Sequence, residues 1–146
     1  MPSALATQLA TSYKEYTEKS REQLNTSLEQ RQTLQTIGPK RWEELRSRFQ
    51  TTVQDLNGEL NSALLQWHDI GSNLFRISKG GASFLNGIFD PDSHTLKISG
   101  PNSFDEMTYE QKVLGDDVRF VTTRLAENTP QCADEIVKNA LSKLIY

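Results

Sequence analysis

The sequence predicts an α+β protein: a long N-terminal antiparallel helical hairpin, then a four- or five-stranded antiparallel β-meander with a C-terminal helix packed on it. Three observations carry this. Apolar residues recur every three or four positions as far as Trp67. From His68 onward the period shortens to two, with Gly, Pro, Asn and Asp clusters between the runs, and after Pro130 the helical period returns.

The first helix, about 3–36, is read from Leu5, Leu9, Tyr13, Tyr16, Ser20, Leu24 and Leu28, spaced by 4, 4, 3, 4, 4 and 4. Its many Thr, Ser and Gln residues weaken it, so packing must supply most of its stability. Ile37, Gly38 and Pro39 interrupt the pattern: Gly suits the left-handed position past a helix end, and Pro suits the first turn of a new helix. The second helix, about 39–67, carries Trp42, Leu45, Phe49, Val53, Leu56, Leu60, Leu64 and Trp67 at spacings of 3, 4, 4, 3, 4, 4 and 3. That pattern repeats every eleven residues, so its face runs nearly straight. Two such rods joined by a tight turn form a hairpin. Asn57 and Gly58 inside the second stripe predict a kink or a close helix contact.

Phe75 and Ile77 alternate with Arg76 and Ser78, and Lys79, Gly80 and Gly81 supply a turn into a strand from Ala82 to Phe89. Asn86–Gly87 within that strand is read as a bulge, because the flanking turns already set the strand lengths. Asp90 to Ser93 form the next turn, Thr95 to Ser99 the next strand, and Gly100 to Ser103 close it. Tyr109 to Leu114 and Val118 to Leu125 flank Gly115–Asp117 as a hairpin. The last helix, about 130–145, has Thr129 as cap, Pro130 in its first turn, and Ile136, Val137, Ala140, Leu141, Leu144 and Ile145 on its apolar face. The helical part, 1–67, and the sheet with its helix, 68–146, are expected to form one continuous unit.

Sixteen Lys/Arg against nineteen Asp/Glu give a net charge of −3. Residues 1–67 hold eight of each, and residues 68–146 hold eight and eleven. Neither half has the basic excess by which phosphate neutralisation drives nucleic-acid binding, so no nucleic-acid partner is expected. No cationic segment followed by an apolar run opens the chain, and no stretch of eighteen apolar residues occurs, so no membrane association is expected. Cys132 is the only cysteine, which forbids an internal disulfide and suits a reducing cytoplasm.

Chemistry has few places to reside. Asp90, Asp92 and His94 are metal-ligand types at alternate positions, but Thr95 and Pro101 stand where a calcium loop needs Gly and an acid, so a Pro/Asx turn explains them. His68–Asp69 fits a helix end better than a proton-transfer pair. Lys40, Arg41, Arg46 and Arg48 are interleaved with Glu43 and Glu44, which makes a self-compensating face. Gly80–Gly81–Ala82 leads into a strand, whereas a phosphate loop leads into a helix. Cys132 is expected as a small buried residue of the last helix.

No cofactor and no enzymatic activity are expected, since titratable residues do not cluster. The reading is a protein-interaction or adaptor module that meets a partner protein, or a second copy, through its coiled-coil-like hairpin, with Trp42, Phe49 and Trp67 as anchors. The alternative is a small-ligand sensor with a pocket between sheet and last helix near Phe75, Phe84, Phe89, Tyr109 and Phe120.

Overall fold

The structure, a computed structural model, describes residues 3–101, 104–123 and 130–146. Its first element is one helix, α1 (Ala4–Leu60), 57 residues and therefore about 85 Å long. Ser3 caps it, its Oγ accepting from the Ala6 N–H at 3.1 Å. The threonines that weaken such a helix are accommodated by turning their hydroxyls back. Those of Thr11, Thr26, Thr33 and Thr52 donate to carbonyls four residues earlier at 2.7–3.0 Å.

The expected hairpin is not formed, because α1 runs without a break through Gly38 and Pro39. Proline in a helix interior removes the donor for the carbonyl four residues before it. Here both Pro39 and Gln35 are exposed, so water can replace that donor. Gly38 is buried, and it serves a contact with the sheet rather than a chain reversal. The apolar stripe beyond it is filled by the sheet, which leaves no face there for a first helix to cover.

The helix also ends earlier than the expected Trp67. Asn61 takes a left-handed φ of 48° and its N–H turns back to the Asn57 and Gly58 carbonyls. The Asn57 side chain then clips the returning chain, donating to the Leu65 carbonyl at 2.8 Å and accepting from the Leu65 N–H at 3.1 Å. This clip replaces the expected kink. Trp67 consequently lies in a strand, and the boundary expected between residues 67 and 68 falls inside it.

The described residues form seven strands in one sheet, ordered as in the chain and each antiparallel to the next. They are β1 (Gln66–Gly71), β2 (Leu74–Lys79), β3 (Ser83–Asp90), β4 (Thr95–Ser99), β5 (Met107–Leu114), β6 (Asp117–Thr122) and β7 (Pro130–Gln131). The four- or five-stranded expectation omitted β1 and β7 at the two ends. β3 pairs without interruption on both sides, so Asn86–Gly87 makes neither turn nor bulge. Gly87 sits directly opposite Phe75, and a Cβ there would overlap the Phe75 ring. The glycine is thus the floor on which an aromatic lies. The register irregularity falls instead in β1, between Asp69 and Gly71.

The last helix, α2 (Ala133–Ile145), starts after Pro130, which pairs with β6 instead of opening the helix. Asp134 and Glu135 in its first turn and Lys143 in its last complement the helix dipole. Of the residues assigned to turns, caps and strand ends above, Asn102, Ser103, Leu125 and Thr129 lie outside the described residues.

One face of the sheet carries the core. Phe75, Ile77, Leu85, Phe89, Leu96, Ile98, Tyr109 and Phe120 meet Trp42, Leu45, Phe49 and Val53 of α1 and Ile136, Val137, Ala140, Leu141 and Leu144 of α2. Period-two alternation sends Arg76, Asn86, Ile88 and Lys97 to the other face. Phe75 is the hub: its ring centroid lies 5.8 Å from Trp42, 4.9 Å from Phe49 and 4.8 Å from Trp67.

Candidate interaction surface

The two halves of α1 have the same apolar pattern and opposite surroundings. Gly38, Trp42, Leu45, Phe49 and Val53 are buried, whereas Leu5, Leu9, Tyr13, Tyr16, Leu24 and Leu28 are 46–68% exposed. At about 100° per residue those six occupy an arc of roughly 140°, on the same side of the helix that packs on the sheet further along. The helix therefore overhangs the sheet, and its apolar stripe continues N-terminal of Gly38 with its large side chains exposed.

The junction is built by Gly38, Gln111 and His94. Gln111, 2% exposed in β5, donates from Nε2 to the Gly38 carbonyl at 2.7 Å. His94, held at a φ of 55° after the β3–β4 turn, donates from Nδ1 to Gln111 Oε1 at 3.1 Å. A Cβ at residue 38 would stand 2.6 Å from Gln111 Oε1 and 3.2 Å from His94 Nδ1, so only glycine lets the helix approach so closely.

Beyond the junction, polar contacts fasten α1 to the body. Trp42 Nε1 donates to the Ser72 carbonyl at 2.9 Å, and Arg46 reaches the same carbonyl at 3.0 Å and pairs with Asp69. Arg41 Nε donates to Asp117 at 2.8 Å and Arg41 also pairs with Glu44, while Arg48 pairs with Asp134. The Arg41 guanidinium and the Val118 N–H hold the Asp117 carboxyl below the usual range, and Asp117 and Glu44 raise Arg41 in turn. The basic tint of Arg41, Arg46 and Arg48 is thus spent on anchoring the helix.

The expected anchors lie elsewhere than expected. Trp42 and Phe49 are 1% and 0% exposed and bind α1 to the sheet, while Trp67 is half-buried in β1 with its ring stacked on Phe75. Asp90 receives the Asp92 and Ser93 N–H groups at 2.9 and 3.4 Å, an Asx turn that holds its carboxyl below the usual range. His94 Nδ1 is bonded to Gln111, and among the described residues no three His, Cys, Asp or Glu side chains are grouped to hold a metal. His68 is not at a helix end; it stands in β1 with Nε2 2.9 Å from Ser78 Oγ, while Asp69 serves Arg46. Cys132 is exposed, contrary to expectation, and its thiol donates to Glu135 at 3.3 Å.

The aromatic residues expected to line a pocket do not converge on one. Phe75, Phe89, Tyr109 and Phe120 are inside the core, and burial pushes the Tyr109 hydroxyl up to about 12. Phe84 lies on the opposite face of the sheet beneath the Arg76 guanidinium, 4.3 Å from its ring centre. Between sheet and α2 there is an open groove of about 300 Å³ with Met107, Tyr109, Asn139 and Ser142 among its walls.

The exposed first stripe and the Gln111 latch are the features that residue patterns did not disclose. The hint lay in Ser20, Gln23 and Ser27, polar residues that make this half of the stripe less apolar than the row from Trp42 to Val53. Among the described residues no helix is long and apolar enough to cross a membrane. No protein family, curated protein or solved structure matches this chain.

Proposed function

We propose that the chain is a non-enzymatic interaction module: the sheet and α2 form a base that holds α1 by its second half, and the overhanging residues 4–36 dock on a protein partner. The observation that carries this is the row of Leu5, Leu9, Tyr13, Tyr16, Leu24 and Leu28, large apolar side chains exposed on one helix face. Contiguous apolar surface of this kind marks binding sites. Support also comes from the base, where Trp42, Arg41, Arg46, Arg48 and the Gly38 carbonyl clamp the helix and so pre-order the docking half. The exposed thiol of Cys132 fits a reducing, cytoplasmic setting for this role.

The test is co-purification of the full chain with size and mass determination, beside a Leu9→Ser/Leu24→Ser variant. Neither residue touches the base, so the variant keeps the fold and is expected to lose the assembly. A wild-type chain that runs as a monomer without a bound protein, or a variant that assembles equally well, contradicts the reading.

A further inference from the structure

The charges of the overhang select its occupant. Residues 4–36 contain Lys14, Lys19, Arg21 and Arg31 against Glu15, Glu18, Glu22 and Glu29, a net charge of zero. Their placement is uneven. Measured around the helix from the middle of the apolar arc at about 100° per residue, Lys19 and Arg21 lie roughly 100° to either side and Arg31 lies inside the arc. Lys14 lies about 120° away, and the four glutamates about 140–180° away on the far side. Among the described residues Lys19, Arg21 and Arg31 have no ion-pair partner. Everything charged that a docked molecule would meet is positive.

We propose that the overhang of α1 takes an amphipathic helix of another protein that carries carboxylates along the borders of its own apolar stripe, a proposal that rests on the docking reading above. A second copy of this chain fits less well, because it would bring the same cations to both sides of the seam with every glutamate turned away. An anionic lipid surface also fits less well. A helix lying on anionic lipid carries Lys and Arg across its polar face, whereas here that face holds Glu15, Glu18, Glu22 and Glu29 and residues 4–36 have no net charge. The size is adequate: about 50 Å of helix with a contact strip about 10 Å wide gives on the order of 1,000 Å² over both partners, the lower bound for a specific interface.

The experiment titrates the full chain with two synthetic helical peptides of about the overhang's length, both with a leucine stripe at the same spacing. One has Glu at its stripe borders and Lys on its far side; the other has the two exchanged, so both are neutral. The Glu-bordered peptide is expected to bind roughly tenfold more tightly at low salt, with the advantage shrinking as salt is added. The Lys19→Glu/Arg21→Glu/Arg31→Glu variant is expected to reverse the preference, which a misfolded chain could not do.

Equal binding of both peptides, lost in Leu9→Ser/Leu24→Ser, overturns the acidic partner while the docking reading stands. Dimerisation of the full chain that the Glu-bordered peptide does not displace overturns it in favour of a second copy. Binding of phosphatidylserine–phosphatidylcholine vesicles in preference to either peptide overturns it in favour of a membrane surface. No binding in any arm overturns both readings.

Discussion

Replacing Gly38 by Ala pits two effects of known sign against each other. Alanine is favoured over glycine in a helix interior by about 1 kcal/mol, so a helix free in solution would gain stability. At residue 38, however, the new Cβ would stand 2.6 Å from Gln111 Oε1, and Gln111 is 2% exposed and tied to both the Gly38 carbonyl and His94. Relieving the clash means displacing a buried amide or lifting the helix from β5. Overpacking costs about 1–3 kcal/mol and an unpartnered buried amide another ~1–3 kcal/mol. After subtracting the helix gain, Gly38→Ala is expected to destabilise by roughly 1–5 kcal/mol. Gly58 is the control: it lies in the same helix, and a methyl group there would meet no atom within 4 Å, so Gly58→Ala is expected to stabilise by about 0.5–1 kcal/mol. Urea and thermal unfolding followed by the fluorescence of Trp42 and Trp67 measure both, with about 3 °C per kcal/mol expected for a chain of this length. A Gly38→Ala protein as stable as the parent, or stabilised like Gly58→Ala, refutes the close approach of helix and sheet.

Three further outcomes follow from the packing and the ionisable groups. Gly87→Ala places a methyl group into the Phe75 ring at the centre of the aromatic cluster, and a loss of roughly 2–3 kcal/mol in urea unfolding is expected. Tyr109, with its hydroxyl pushed up to about 12 from 10.0, gives stability that is complete below pH 10 and lost as pH rises toward 12. Tyr109→Phe is expected to lack that alkaline loss, on the order of 2 kcal/mol, when unfolding midpoints are compared across this window. Asp117 is held below its ordinary value of 3.8, chiefly by Arg41, so its contribution is present above that pH and fades as pH falls through the lowered value. Asp117→Asn is expected to show a shallower acid decline than the parent, and an unchanged acid profile would remove the Arg41–Asp117 contact from the clamp.

What residue patterns disclosed depended on whether an element's neighbours are local. β2 and β4 were legible because alternation reports a half-buried strand directly: Phe75 and Ile77 face in while Arg76 and Ser78 face out. α2 was legible from its own apolar face. The stripe of α1 was equally visible in both halves, but a period of three or four names a face without naming what covers it. Leu9 and Phe49 look alike in sequence and differ completely in exposure. Gly38–Pro39 reads as a break on local chemistry, and the reason it is not one lies 73 residues away at Gln111. β1 was hidden because an edge strand with only Trp67 half-buried shows no alternation, and Trp67 happens to extend the helical spacing. Of the candidate site, the apolar row from Leu5 to Leu28 was legible, while its exposure and the latch that holds the helix were not.

The most direct measurement is the distance between spin labels at Asn25→Cys and Gln50→Cys, both exposed, in a Cys132→Ser background. One unbroken helix through Gly38 and Pro39 separates these positions by roughly 37 Å at about 1.5 Å per residue, and a single population near that distance is expected. A population at about 10 Å, the spacing of two packed helices, would mean that the chain folds back on itself and that the overhang does not exist.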